Sequence, residues 1–267
     1  GLIRWESTAY PGKLNIIAAA EQQGCDLINE IPLDIYLSSL LAKEMNALWP
    51  IEALKAQAVA ARSYAYHKIM TQQVSKSKGF KTYYDLENSE KHQVNGSFFD
   101  STKQTELATK ETAGEFLTVG KGKITPIFFH AKCGGRTFKP SEVWANKVSG
   151  YESVDCPYCH KLGKKEWKLI LPKQRFNLIV DQTLQNFYDD KLQNKSTPSM
   201  TIVPDNKGKS KVRLYDDERL LTLKKSRLRS VLGRNQAPSN YFHLEQKGDK
   251  VILRGKGNGH GVGMCQL

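Results

Sequence analysis

What this chain lacks narrows its class before any motif is considered. No apolar run approaches the roughly 20 consecutive residues that are needed to cross a bilayer. The start, from Gly1 to Trp5, has neither the basic nor the apolar segment of a secretion signal, so we expect that any signal or anchor has been removed. The chain also has no arginine-rich arm and no zinc-finger or RNA-recognition consensus, which argues against a nucleic-acid partner.

Cysteine is scarce, with five residues among 267. That number is too small to form the framework of a chain of this length, and an odd count argues against complete disulfide pairing. Cys133, Cys156 and Cys159 lie close in sequence, whereas Cys25 and Cys265 are isolated. The pattern leaves room for a metal site.

Negative charge is also in deficit. Lysine and arginine number 40 against 27 aspartates and glutamates, which gives a formal net charge of +13. The excess is spread as single lysines and short pairs, densest from Lys161 to Lys256. A field of this kind concentrates acidic polymers, among which an anionic cell wall or membrane surface fits better than nucleic acid.

Two consecutive helices are the most strongly patterned part of the chain. Asp34 can cap a helix from Ile35 to Leu48, and Pro50 suits the first turn of a second, alanine-rich helix that runs to about Thr71. The apolar residues of the first helix recur at helical spacing. They are Leu37, Leu40, Leu41, Met45 and Leu48.

The remaining segments have the pattern of short strands and turns. Residues 1–32 are strand-rich, and short β segments are predicted from 81 to 138. Leu220–Leu232 is predicted as a helix and Lys250–Arg254 as a strand. We therefore predict one α+β domain over 1–267, a helical hairpin packed on antiparallel strands, with the lysine-rich stretch 161–250 as a subdomain.

Glu44 is unusual because its spacing from Leu40, Leu41 and Leu48 puts it on the apolar stripe of the first helix. A carboxylate in that position is either paired or held partly protonated, and the second state is what a general acid requires. Lys55 and Arg62, seven residues apart, share one stripe of the second helix. They could neutralise Glu44 in a structural ion pair or hold an anionic sugar substituent, and both readings stay open.

Five motifs occur in order along the chain. They are EMNALWPIEALKAQAVAARSYAY from Glu44, QVNG from Gln93, FFHAKCGGRT from Phe128, LRSVLGRNQAPSNYF from Leu228 and GKGNGHGVGMCQ from Gly255. Together they resemble the stage II sporulation protein D family. The resemblance implies an exported lytic transglycosylase that cleaves the MurNAc–GlcNAc bond of peptide-stripped peptidoglycan strands. It also implies that Glu44 is the catalytic acid and that Lys55 and Arg62 are the helix cations of the site.

The glycine-rich histidine motifs are assigned to the substrate cleft by the same resemblance. A tight turn and a satisfied buried histidine are the alternatives that the residues alone leave open. The residues expected to contact substrate, besides Lys55 and Arg62, are His130, Gly134, Gly135, Thr137, His260 and Gly261.

The CPYCH segment predicts a closed structural Zn²⁺ site formed by Cys133, Cys156, Cys159 and His160. His130 is the substitute fourth ligand, although a strand would point it away from Cys133. A disulfide is the rival in an oxidising compartment. Some family members bind zinc just before the QVNG-like motif, but residues 85–92 contain no cysteine here, so we expect that site to be absent.

Two other functions compete with the transglycosylase. A non-catalytic wall-binding protein or amidase enhancer would not need Glu44, and a zinc hydrolase would need an open metal site. The expected partners are peptidoglycan glycan strands and other cell-wall enzymes, and the expected location is the cell envelope.

Overall fold

The computed structural model describes residues 2–6, 8–18, 24–77, 83–89, 92–93, 97–144, 147–161, 166–187, 200–202, 210–216 and 219–267. The chain divides into two compact units, Gly1–Ile127 and Phe128–Leu267, called the N-terminal unit and the C-terminal unit below. Both contain helices and antiparallel strands, which confirms the predicted α+β class. Among the described residues, no helix combines the length and the apolar character that crossing a membrane requires.

The N-terminal unit combines antiparallel strand pairs with helices. The described strands pair as β1 (Leu2–Trp5) with β2 (Thr8–Pro11), β3 (Lys13–Ala18) with β4 (Cys25–Glu30), and β5 (Thr118–Val119) with β6 (Lys123–Ile124). The helices are α1 (Leu33–Glu44), α2 (Ile51–Ser77) and α3 (Lys103–Glu111), with a 3₁₀ turn at Phe98–Asp100.

The predicted helix pair is present, but its first member differs at both ends. Pro32 rather than Asp34 occupies the N-cap of α1, so Asp34 lies in the first turn. Met45 adopts an extended conformation and its N–H donates to Leu41 O at 2.9 Å, which ends the helix at Glu44. Leu48 therefore lies beyond the helix and is 87% exposed, so the expectation that it extends the buried stripe was wrong.

Helix α3 lies where short strands were predicted. Its N-cap is Thr102, whose hydroxyl accepts a hydrogen bond from Thr105 N at 3.2 Å, while Thr105 Oγ1 accepts one from Thr102 N at 2.9 Å. This reciprocal capping satisfies two of the donors that a helix start leaves open. Threonine has a weak intrinsic helix propensity, and the buried contacts of Thr105, Ala108 and Thr109 override that preference.

Within its described residues, the C-terminal unit contains two three-stranded sheets and one short parallel pair. The first sheet has the order β12 (Phe242–Lys247), β13 (Lys250–Lys256), β8 (Glu166–Pro172), and the second β11 (Arg219–Lys224), β10 (Lys211–Asp216), β9 (Met200–Ile202). The parallel pair is β7 (Phe129–His130) with β14 (Met264–Cys265). The helices are α4 (Pro140–Val143), α5 (Tyr158–Lys161), α6 (Lys173–Phe187) and α7 (Lys225–Leu232).

The main apolar core of this unit joins α6 and α7 to both three-stranded sheets, with Phe176, Leu228 and Leu253 among its members. The predicted strand at Lys250 is confirmed as β13. The predicted helix 220–232 is correct only from Lys225 onward, because exposed and buried residues alternate through β11 with the period of a strand. A subdomain over 161–250 stays a prediction.

Candidate functional site

Glu44 is half-buried at the carboxyl end of α1, two turns from Tyr36 on the same helix. Burial raises the pKa of the Tyr36 hydroxyl above its usual range, and the negative charge of Glu44 adds to the effect. Tyr36 therefore stays protonated and can act as a hydrogen-bond donor at neutral pH.

A polar chain continues from Tyr36 into the second helix. The Tyr36 hydroxyl donates to Gln93 Oε1 at 3.0 Å, and Gln93 Nε2 donates to Ala61 O at 3.2 Å. Gln93, the first residue of the QVNG motif, is buried, while 94–96 lie outside the described residues. Sequence reasoning missed Tyr36 because a tyrosine on an apolar helix stripe is typical of a core.

Lys55 forms ion pairs across the surfaces of α2 and α3. Its ammonium group lies 2.8 Å from Glu52 Oε1 and 2.7 Å from Glu111 Oε2. Hydrogen bonds to Glu111 and then to Glu52 raise the pKa of Lys55 above its usual range. The side chain remains 24% exposed, and its contact with a glycan stays a prediction.

Arg62 is 1% exposed and serves the carboxyl end of α3. Its Nη1 donates to Thr112 O at 2.8 Å and its Nη2 donates to Thr109 O at 3.0 Å. Nη2 also donates to Asp34 Oδ1 at 3.3 Å. The last carbonyls of a helix have no partner within it, so these contacts give Arg62 a structural role. Direct contact with a substrate stays a prediction for this residue.

The predicted histidines meet in the C-terminal unit, where the ring centroids of His130 and His260 are 5.6 Å apart. His130 is 3% exposed, and its Nδ1 lies 3.1 Å from Val262 O. His260 Nδ1 accepts a hydrogen bond from Val262 N at 3.0 Å. Burial, followed by the charge of His130, lowers the pKa of His260 to about 3. His260 is therefore neutral at physiological pH, with its proton on Nε2.

Aromatic rings surround this histidine pair. The centroid of Trp144 lies 5.0 Å and that of Phe128 6.5 Å from the His260 ring. The Tyr151 hydroxyl accepts a hydrogen bond from Phe128 N at 2.9 Å. Half-buried aromatic faces next to the neutral imidazole of His260 suit a ligand that combines an apolar face with hydroxyl or amide groups.

The other predicted substrate residues make contacts within the C-terminal unit. Gly134 has φ +77°, and a Cβ there would lie 2.7 Å from the backbone carbonyl carbon of Lys256. A Cβ on Gly261 would lie 2.8 Å from the Phe138 ring. The Thr137 hydroxyl accepts a hydrogen bond from Val154 N at 2.9 Å. These contacts explain why the positions are glycine or threonine, and substrate contact stays a prediction for them.

Four cysteines of the C-terminal unit cluster. The sulfurs of Cys133, Cys156 and Cys159 lie within 4.8 Å of one another, as do the ligand atoms of His130, Cys133 and Cys265. Cys265 was considered isolated in the sequence, but its sulfur is 3.7 Å from that of Cys159. The groupings could hold a metal ion.

Two expectations about the ligands change with the structure. Strand β7 ends at His130 and the chain bends at Ala131, so His130 and Cys133 do not alternate along one strand and their ligand atoms come together. The opposed orientation expected for two residues of one strand does not apply, because the chain bends between them. The side chain of His160, the predicted fourth ligand, lies outside the described residues.

The fold and these motifs define an α+β protein whose helix pair carries a half-buried glutamate. A sequence model described as "Stage II sporulation protein" matches residues 21–119. An uncharacterised protein of Brachyspira hyodysenteriae is 32% identical over 240 residues, covering 90% of this chain and 61% of the relative. The chain thus spans about three fifths of the length of that relative.

Two proteins of Bacillus subtilis are also similar. Its stage II sporulation protein D is 27% identical over 267 residues, covering 97% of this chain and 72% of the relative. Its amidase enhancer is 26% identical over 280 residues, covering 86% of this chain and 36% of the relative. The family model and the relative of that name support the stage II sporulation protein D family for this chain.

Proposed function

We propose that this protein is a lytic transglycosylase of the cell envelope that cleaves MurNAc–GlcNAc bonds in peptide-stripped peptidoglycan strands. The match to the family model and the names of the relatives support a role at the cell wall. The observation that carries the finer proposal is the position of Glu44, half-buried at the end of α1, where its charge helps to raise the pKa of the Tyr36 hydroxyl on the same helix.

This position suits a carboxyl group that delivers a proton. The carboxyl end of a helix carries partial negative charge, which opposes a second negative charge at the same place. Partial burial acts in the same direction, because a poorly solvated carboxylate is costly. The Tyr36 hydroxyl, whose pKa the Glu44 charge helps to raise, is held in place by its hydrogen bond to the Gln93 amide oxygen.

The reaction needs one carboxyl group. Protonated Glu44 donates its proton to the glycosidic oxygen, and the bond from that oxygen to C1 of MurNAc breaks as an oxocarbenium-like centre develops. The Glu44 carboxylate then removes the proton of the MurNAc 6-hydroxyl, whose oxygen bonds to C1. The products are a 1,6-anhydro-MurNAc end and a free GlcNAc 4-hydroxyl, no water is consumed, and Glu44 is protonated again.

The charge of the chain supports an acidic polymer as substrate. A formal charge of +13 attracts a polyanion, and stem-peptide removal exposes the lactyl carboxylate of MurNAc. Of the two predicted cations, Lys55 is the one that solvent reaches, because the Arg62 side chain is 2% exposed. We therefore assign the lactyl carboxylate to Lys55, where it would replace Glu52 or Glu111 as a partner of the ammonium group, and a supporting role between α2 and α3 to Arg62.

The alternative functions make different demands. An amidase enhancer, the name of one relative, needs a binding surface but no acid at position 44. A zinc hydrolase needs a metal with an open coordination position, whereas clusters rich in thiolates are typical of closed structural sites. The half-buried Glu44 is better explained by the transglycosylase than by either alternative.

The test compares Glu44→Gln with Glu30→Gln, which removes an exposed carboxylate that pairs with Lys13 in the same unit. Peptide-free glycan strands are digested, and mass spectrometry measures the anhydro ends, which are one water lighter than hydrolysed ends. We expect Glu44→Gln to reduce the rate by about 10²–10⁴-fold, the usual contribution of a general acid, with unchanged strand binding. Wild-type release of anhydro ends by Glu44→Gln would exclude this mechanism.

A further inference from the structure

We propose that Cys133, Cys156, Cys159 and Cys265 together bind one structural Zn²⁺ ion, which fastens β14 beside β7. Cys265 is the ligand that the sequence pattern does not predict, because it lies far along the chain from the other three cysteines. The proposal concerns the architecture of the C-terminal unit and does not depend on the reaction assigned to Glu44.

Two of the sulfur separations are close to those of a tetrahedral zinc site. Zn–S bonds of about 2.3 Å in a tetrahedron place neighbouring sulfurs about 3.8 Å apart. The Cys133 and Cys159 sulfurs are 3.3 Å apart, and those of Cys159 and Cys265 are 3.7 Å apart. These separations are far longer than the roughly 2.05 Å of a disulfide bond and near the edge of a zinc tetrahedron.

The backbone around the cluster is arranged to support thiolates. The N–H of Cys133 donates to the Cys265 sulfur at 3.3 Å, and the N–H of Gly135 donates to the Cys133 sulfur at 3.4 Å. Gly134 and Gly135 reach this geometry with φ values of +77° and +118°, which favour glycine. Hydrogen bonds to ligand atoms orient a metal shell and stabilise its negative charge.

Cys156 is assigned as the fourth ligand in preference to His130. The Cys-x-x-Cys spacing of Cys156 and Cys159 brings two sulfurs to one ion at the start of α5, and both lie within 4.8 Å of the Cys133 sulfur. His130 Nε2 is buried without a hydrogen-bond partner among the described residues, and it is the alternative fourth ligand. Its ring also packs against His260, so the choice of Cys156 leaves this nitrogen available to the histidine pair.

The ion would lock a short and otherwise weak strand pair. Strands β7 and β14 contain two residues each, and Met264 N donates to Phe128 O at 2.9 Å while Gln266 N donates to His130 O at 3.0 Å. A metal bond to Cys265 would fasten β14 within this pair. The ion therefore positions His130 without contacting substrate.

The experiment measures zinc content and the zinc X-ray absorption fine structure of the whole chain purified under reducing conditions. We expect one zinc per chain with four sulfurs at about 2.3 Å. Cys265→Ser should leave three sulfurs and lower zinc affinity by at least about 100-fold in a chelator competition. Cys25→Ser is the matched control, because Cys25 is exposed in the other unit, and it should change neither result.

Other outcomes would overturn the assignment. A shell of three sulfurs and one nitrogen at about 2.0–2.1 Å that loses its nitrogen in His130→Gln would replace Cys156 by His130. If Cys265→Ser keeps four sulfurs around the zinc, Cys265 is not a ligand. A zinc-free chain with fewer than five reactive thiols after unfolding would establish a disulfide in place of the ion. None of these readouts depends on glycan cleavage, so they are independent of the proposed function.

Discussion

The two units hold their buried polar groups in different ways. In the N-terminal unit, side chains of regular helices reach neighbouring elements, as Arg62 reaches the last carbonyls of α3. In the C-terminal unit, backbone groups outside the helices bind many of the buried polar side chains. The Val262 carbonyl contacts His130, and the Val262 N–H donates to His260. A backbone N–H also contacts a cysteine sulfur. The face on which a helix side chain lies can be read from the spacing of residues in the sequence. The contacts of a loop backbone group can be known only once the chain has folded.

The difference has consequences for which substitutions matter. In the N-terminal unit, one buried arginine serves two backbone carbonyls of α3 and its C-cap. In the C-terminal unit, several glycines allow close approaches of the chain, and burial keeps His260 neutral. Three substitutions test this comparison, in order of expected effect.

Arg62→Met should have the largest effect on stability. The substitution leaves the carbonyl groups of Thr109 and Thr112 without their charged donor in a buried place, and loss of one member of such a network costs about 3–5 kcal/mol. Urea unfolding followed by circular dichroism measures the change. Lys55→Met is the matched control, since it removes a cation from the same helix that pairs at the surface. Equal unfolding midpoints for the two variants would contradict the structural role of Arg62.

His260 should make stability depend on pH. Its folded pKa of about 3 lies below the unfolded value of about 6.5, so the unfolded state binds one more proton between these values. The contribution of His260 to the free energy of unfolding is complete above pH 6.5. It falls by about 1.4 kcal/mol per pH unit below that value, or about 3 kcal/mol by pH 4.5.

The measurement compares wild type with His260→Gln, because carboxylates common to both proteins cancel in the difference between the two curves. The free energy of unfolding of the variant should fall less steeply from pH 6.5 to pH 4.5. If the free energies of unfolding of the two proteins fall in parallel with pH, the surroundings of His260 do not hold it neutral.

Gly255→Ala should have the smallest effect of the three. A Cβ at Gly255 would lie 2.1 Å from Trp167 Cε2, whose indole N–H donates to Ser239 Oγ at 3.0 Å, so the ring must shift. Overpacking of this kind costs about 1–3 kcal/mol. Gly24→Ala in the N-terminal unit is the control, because a Cβ there meets nothing within 4 Å, and its thermal midpoint should stay unchanged. If Gly255→Ala lowers the thermal midpoint no more than Gly24→Ala does, the close packing of Trp167 on Gly255 does not require glycine.

The sequence by itself determined the elements that depend on local spacing. The α+β class, the helix pair with buried Leu37, Leu40 and Leu41, and the strand at Lys250 follow from periodicity, and the structure confirms them. Periodicity was misleading at the boundaries: Leu48 continued the pattern of α1 although the backbone leaves the helix after Glu44. The assignment of Glu44 as the acid came from the family resemblance and stays a prediction.

Only the tertiary structure decided which distant residues meet. Helix α3 was missed because its threonines favour other conformations until Arg62 and the neighbouring helices cover it. Cys265 joins Cys133 across 132 residues of sequence. No local pattern encodes that approach, because it depends on the parallel pairing of two-residue strands and on glycines that let two backbone segments touch.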